Sequence, residues 1–174
     1  MSKPIIIGVG VLALIGGGIL LLTQGGTTLD EQGTTLKSQR QVKDDLTFVD
    51  YDGNTVALAD FSGKPLVINS WASWCPFCVK ELPDFVLLQK KFPEMVVIAV
   101  DRRESLNTAK SYTDDLGITD SLMFLLDSSD SFYRSIGGFT MPETIFVDKE
   151  GVIQIHKRGI MSLDEMERNI EKIL

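Results

Sequence analysis

The stretch LVINSWASWCPFCVKELP, Leu66 to Pro83, decides how this chain is read. Leu66, Val67 and Ile68 form a short apolar run suited to a buried strand, and Trp71 and Trp74 lead out of it into Cys75-Pro76-Phe77-Cys78. Leu82, Phe85, Val86 and Leu88 then recur at helical spacing. No other cysteine occurs among the 174 residues. A thiol at the cap of a helix and another in its first turn both lie near backbone N–H groups that lack intrahelical partners. The partial positive charge there favours thiolate, the form that attacks disulfides. Pro76 suits the first helical position, where a missing N–H removes no hydrogen bond.

Three readings of the cysteine pair compete. A structural zinc site takes about four ligands, and besides the two cysteines the chain offers a single distant histidine, His156. Only a dimer would complete such a site. A purely structural disulfide three residues apart closes a very short loop and removes little entropy from the unfolded chain. Redox chemistry is the third reading, because CxxC beside a βαβ pattern is its expected signature.

Composition sets the frame. The length suits one domain plus a tail, and 44% apolar residues suffice for a core. Lys3 is the only charged side chain before Asp30, so the excess of 24 Asp and Glu over 17 Lys and Arg falls on the part beyond it. That balance excludes nucleic acid as a partner, since phosphate binding needs a basic face.

Ile5 to Leu22 is uncharged and strongly apolar. At about 1.5 Å per residue it reaches about 27 Å, close to the roughly 30 Å of a hydrocarbon core. Residues 1–22 are therefore expected to be one transmembrane helix. A cleaved signal peptide is the rival, but Leu20-Leu21-Leu22-Thr23-Gln24 contains no small-residue cleavage site and no nearby cysteine to carry a lipid. Lys3 before the span places the amino terminus in the cytoplasm and the rest outside. Ala13-x-x-x-Gly17 is either a helix-packing face or ordinary glycine filler. Residues 23–44, rich in Gly, Thr, Gln and charge, read as a flexible linker, whether a tuned tether or a plain spacer.

From residue 45 to Leu174 the pattern is that of one α/β domain. Leu46 to Tyr51 and Thr55 to Leu58, joined by Asp52-Gly53-Asn54, form an N-terminal hairpin. Pro83 is expected to bend the helix after Cys78. Met95 to Val100 suits a central parallel strand. Ser105 to Leu116 reads as a helix stopped by Gly117, Leu122 to Leu126 as a strand and Asp130 to Ile136 as a short helix. Thr144 to Val147 and Val152 to His156 form a closing hairpin. A capping box, Ser162-x-x-Glu165, opens a last helix with Leu163, Met166, Ile170 and Ile173 on one face.

Trp71-Ala72-Ser73-Trp74-Cys75-Pro76-Phe77-Cys78, with Glu81, Pro83 and the later Met141-Pro142, resembles the active-site pattern of thioredoxin-fold proteins. The similarity is greatest to the membrane-tethered TlpA/ResA-type thiol-disulfide oxidoreductases and runs from about Asp45 to Leu174. It implies a thioredoxin-like fold: a central mixed sheet with helices on both faces, an N-terminal β-hairpin and an inserted αβ unit from about Ser105 to Leu126.

The resemblance also implies roles. Cys75, the more exposed thiol, attacks a partner's disulfide; Cys78, more buried, resolves the mixed disulfide. Burial raises the pKa of the second thiol, and the family carries a functional glutamate at the position of Glu81, one helical turn beyond Cys78. From the residues alone a solvated helix carboxylate is the other reading of Glu81. Plain thioredoxins have a buried acid where this chain has Asn69, which cannot titrate, so proton handling moves to Glu81. Met141 and a cis Pro142 would present a backbone edge to an extended peptide, with Trp74 and Pro76 completing the substrate-binding surface. Glu143 stands where the family often has threonine and adds an acid near the site. Trp71 and Phe77 read equally well as packing residues or as part of the wall beside Cys75, and His156 is expected to be structural.

The resulting expectation is an enzyme without metal or cofactor, working through a Cys75–Cys78 disulfide. It would keep extracytoplasmic protein cysteines reduced, as in cytochrome c maturation, with an antioxidant effect. Protein disulfides are its expected substrates and a membrane thiol transporter its electron donor. Its expected location is the cell membrane, single-pass. An oxidant or isomerase of secreted-protein disulfides is the alternative. A thiol peroxidase would need a threonine that Ser70-Trp71-Ala72-Ser73-Trp74 lacks, and a redox-inert tethered scaffold belongs to a different class.

Overall fold

The computed structural model describes residues 41–42 and 45–174. The expected membrane anchor, and the linker apart from Gln41 and Val42, lie outside the described residues. Among the described residues no helix is long and apolar enough to cross a membrane. Gln41 bridges to Val152, and the Val42 N–H donates to the Gly151 carbonyl, so this end of the linker lies on the domain.

The frame is a seven-stranded mixed sheet in the order β2-β1-β5-β4-β3-β6-β7. Its members are β1 (Thr47–Asp50), β2 (Thr55–Ala57), β3 (Leu66–Trp71), β4 (Val96–Arg102), β5 (Met123–Asp127), β6 (Glu143–Val147) and β7 (Ile153–Arg158). The expected N-terminal hairpin is β1–β2, and it joins the sheet through antiparallel pairing of β1 with β5. β3, β4 and β5 run parallel, whereas β6 is antiparallel to β3. Every residue of β3 is buried, as a strand covered on both faces must be.

Helices α1 (Pro76–Lys91), α2 (Leu106–Asp115), α3 (Ser131–Ser135) and α4 (Leu163–Ile170) cover the sheet. The period of two along each strand sorts the core into opposite faces. Leu66, Ile68, Ile98, Val100 and Ile145 point one way and pack with Phe132 and Ile136 at α3. Val67, Val97 and Phe146 point the other way, onto Phe85 and Leu88 of α1 and Met166 and Ile170 of α4. Trp71, Ala99 and Phe124 continue that second face under Leu82 of α1 and Ala109 of α2.

Local chemistry sets the helix ends. Cys75 caps α1, its sulfur accepting from the Cys78 N–H at 3.2 Å, and Pro76 fills the first helical position. α1 continues unbroken through Pro83, where the Val79 carbonyl loses its usual amide partner. Ser105 caps α2, and Gly117 leaves it with φ of +67°, a left-handed conformation that glycine adopts without steric cost. Only half of the expected capping box at α4 forms. Ser162 accepts from the Glu165 N–H, but the Glu165 carboxylate turns to Lys157 at 2.6 Å.

Two strands overrun their sequence-based limits. β4 extends to Asp101 and Arg102, and β7 to Lys157 and Arg158, because ladder pairing with β5 and β6 persists beyond the apolar run. Both extensions deliver charged side chains to the end of the sheet that carries the cysteines.

Candidate active site

Parallel strands bring their C-terminal ends to one edge of a sheet, and there open α/β folds place their chemistry. β3 ends at Trp71 and leads to Cys75. β4 ends at Arg102 and leads to Arg103 and Glu104. β6, running the opposite way, begins at Glu143 directly after Met141-Pro142. Three distant segments of sequence thus meet at the tip of α1.

Cys75 and Cys78 are joined as a disulfide, with Cα atoms 5.3 Å apart. Cys75 is 3% exposed and Cys78 fully buried. The expected order of exposure holds, although Cys75 shows solvent only a sliver. The peptide bond between Met141 and Pro142 is cis. Met141 packs against the cluster containing both cysteines, and the Pro142 carbonyl accepts from the Gly159 N–H at 2.9 Å. Pro76 is exposed at the helix tip and Trp74 is 61% exposed beside Cys75. Trp71 is fully buried, which settles it as a packing residue. Phe77 is not a packing residue: it is 58% exposed, because α1 directs Cys78 inward and its neighbour outward.

Glu81 is no solvated helix carboxylate. It lies on the buried face of α1 with Cys78, is 1% exposed, and accepts from Asn69 Nδ2 at 2.9 Å and from the Met161 N–H at 3.2 Å. Burial is the main reason its pKa is pushed up to about 8; the two hydrogen bonds oppose that rise without cancelling it. Asn69 also donates to Thr144 Oγ1 at 3.0 Å, which ties the carboxyl to both β3 and β6.

A second buried acid lies on the β4 side. Asp101 is fully buried and accepts from the Glu104 N–H at 3.0 Å; its pKa is raised to about 8, first by burial and then by the neighbouring Glu104. Glu104 in turn clasps the approach to Cys75, accepting from the Ser73 N–H at 2.7 Å and the Ser73 hydroxyl at 2.6 Å.

Glu143 does add an acid, but it lies beneath the site. It is fully buried and accepts from the Phe139 and Thr140 N–H groups at 2.8 and 3.0 Å. Its other oxygen meets His156 Nε2 at 2.5 Å, with Arg158 Nε 3.7 Å from the carboxylate. His156 is thus structural, as expected, and supports the acid that holds the proline loop. Tyr133 completes the support by donating to the Thr140 carbonyl at 2.7 Å.

Sequence reasoning did not find Thr144, Met161, Asp101, Glu104 or the Glu143–His156 pairing. Met161 and Glu81 are 80 positions apart, and no local pattern encodes such a contact. Only the β4 overrun, with a charged run directly after apolar Val96 to Val100, offered a clue to Asp101 and Glu104.

A mixed sheet of this order, with a cysteine pair at a helix tip packed against the residue that precedes a cis proline, is the arrangement of thioredoxin-like redox proteins. The Redoxin family model matches residues 31–174, and the chain belongs to that family. Thiol-disulfide oxidoreductase ResA of Bacillus thuringiensis is 27% identical over 126 residues, covering 71% of this chain and 72% of the relative. The thioredoxin-like protein YneN of Bacillus subtilis is 28% identical over 131 residues, covering 73% and 75%. Among solved structures, MTB dsbF in mixed oxidized and reduced forms superposes with a TM-score of 0.69 at 26% identity, covering 75% of this chain and 96% of that one. With its cysteine pair at bonding distance, the chain is a thiol-disulfide oxidoreductase of the ResA type.

Proposed function

We propose that the protein is a reductant of protein disulfides outside the cytoplasm, tethered to the cell membrane by residues 1–22 and supplied with electrons by a membrane thiol protein. Its own cysteine pair is the redox group, and no added cofactor takes part. Cytochrome c maturation is the process proposed for it. The observation that carries this reading is the buried Glu81 one turn beyond Cys78, whose carboxyl exchanges its proton near pH 8, where thiols ionise.

In the reduced protein the Cys75 thiolate, at the positive end of α1, attacks a disulfide sulfur of the partner. The partner's S–S bond breaks, a mixed disulfide forms, and one partner thiolate leaves. Cys78 then gives its proton to the Glu81 carboxylate and attacks Cys75, releasing the second partner thiol. Two electrons have passed from the cysteine pair to the partner. Asn69 suits both states of Glu81: its amide donates to the carboxylate and, turned over, accepts from the carboxylic acid. The partner peptide lies on exposed Trp74 and Pro76 and the half-buried Met141, with the buried Pro142 beneath.

A Cys78→Ser variant tests this reading in cells, because partners that cannot be resolved should remain attached to Cys75. Recovery of exported proteins bearing haem-attachment cysteines supports it. Redox equilibration against glutathione separates the directions: a potential near that of thioredoxin, about −270 mV, supports reduction, and one near −120 mV makes the protein an oxidant.

A further inference from the structure

The rim of the site on the β4 side holds two consecutive arginines in different circumstances. Arg102 is committed. Its guanidinium forms a two-pronged pair with Asp130 at 2.7 and 2.6 Å and lies 3.4 Å from the centre of the Tyr133 ring. Arg103 is exposed and makes no ion pair among the described residues. The nearby acids are occupied elsewhere: Asp130 by Arg102, Glu104 by Ser73, and Asp127 by the N–H groups that open α3. Arg103 is thus an exposed cation with no ion pair of its own, its charge felt by Asp130, which Arg102 already holds, in a chain whose net charge is −7.

Its backbone is unusual as well. Arg103 has φ of +64°, the left-handed region where glycine is the ordinary choice. Its N–H donates to the Asp127 carbonyl at 3.2 Å, which fixes that conformation. A long cationic side chain therefore stands where the backbone itself favours none, and strain of this kind collects at functional positions. Arg102 and Arg103 together with Trp74 line a cleft of about 400 Å³. Trp74, 61% exposed and the residue before Cys75, links this cleft to the approach to the cysteine pair.

We infer that this cleft selects partners carrying a carboxylate side chain next to the cysteine under attack, with Arg103 as the recognising cation and Trp74 as the apolar wall. The inference rests on the exchange reaction proposed above and adds its specificity. Arg102, held by Asp130 and Tyr133, is a fixed wall whose charge is already matched. The ligand is a peptide carboxylate, Asp or Glu, on the partner chain.

The probe is a matched pair of symmetrical peptide disulfides, uncharged apart from Glu on both sides of the cysteine in one and Gln in the other. Reduced wild-type protein is mixed with each, and release of peptide thiol gives the second-order rate. Wild type should reduce the Glu peptide about threefold faster than the Gln peptide at low salt, as expected for one rim ion pair. The ratio should fall toward one in 0.5 M salt and in Arg103→Gln, while Arg103→Lys retains part of it. A ratio of one in wild type, or one that persists in Arg103→Gln, overturns the inference. If neither peptide is reduced, the exchange reading itself fails, which is a distinguishable result.

Discussion

Replacing Glu81 by Gln isolates the proton that this carboxyl carries. In the folded protein its pKa is about 8, against an ordinary 4.5. Between those values the folded state keeps a proton that the unfolded chain has released. The stability due to that difference is fully present below pH 4.5 and is lost as pH rises toward 8. Each pH unit in the window removes about 1.4 kcal/mol, so wild type should lose on the order of 4 kcal/mol between pH 5 and pH 8 through this group. Asp101 contributes with the same sign, its pKa being raised to about 8 from 3.8. The difference between wild type and Glu81→Gln therefore reports Glu81, whereas the slope of either protein does not. Guanidinium unfolding of the oxidised protein, in half-unit steps from pH 5 to pH 9, measures it. The two curves should converge or cross as pH rises, with Glu81→Gln losing less. Parallel curves throughout would mean that Glu81 titrates as an ordinary surface carboxylate, and its part in resolving the mixed disulfide would be refuted.

Other perturbations test neighbouring parts of the account. Arg103→Gly relieves the left-handed backbone and should stabilise the protein by about 1 kcal/mol, raising the thermal midpoint by a few degrees in calorimetry; a lower midpoint would show that φ of +64° carries no strain there. Gly138→Ala places a Cβ 2.5 Å from two atoms of the Tyr133 ring, so the urea midpoint should drop by the equivalent of about 1–3 kcal/mol, and an unchanged midpoint would contradict the packing described. Glu143→Ala leaves the Phe139 and Thr140 N–H groups without their buried acceptor. Hydrogen exchange at those two amides should accelerate well beyond that in Glu143→Gln, which retains an acceptor oxygen. Trp74→Ala, at a 61% exposed position, should shift stability by less than about 0.5 kcal/mol while slowing exchange with peptide disulfides, and equal loss of both would make Trp74 a packing residue.

The parts of the fold legible in the sequence are those that local patterns encode. Cys75 as a cap, Pro76 at the first turn and the apolar spacing of Leu82 and Phe85 specify α1 without reference to the rest of the chain. Ser105 and Gly117 mark α2 in the same way. The cis Pro142 and the importance of Glu81 came from resemblance, since neither X-Pro nor a lone glutamate announces itself. Contacts across the sheet were out of reach: the Met161 N–H on Glu81, the Ser73–Glu104 clasp and Glu143 on His156 join segments that meet only after the strands have paired. Residue type leaves Phe77 open between packing and exposure, and its place at the exposed tip of α1 decides for exposure.

The central claim is that Cys75 attacks and Cys78 resolves. Intact-mass measurement of reduced Cys78→Ser and Cys75→Ser proteins, each mixed with the same peptide disulfide at pH 7, tests it directly. Cys78→Ser should accumulate a one-to-one mixed disulfide within minutes, while Cys75→Ser, whose remaining thiol is fully buried, stays largely unmodified. Equal labelling of both proteins, or faster labelling of Cys75→Ser, would contradict the account.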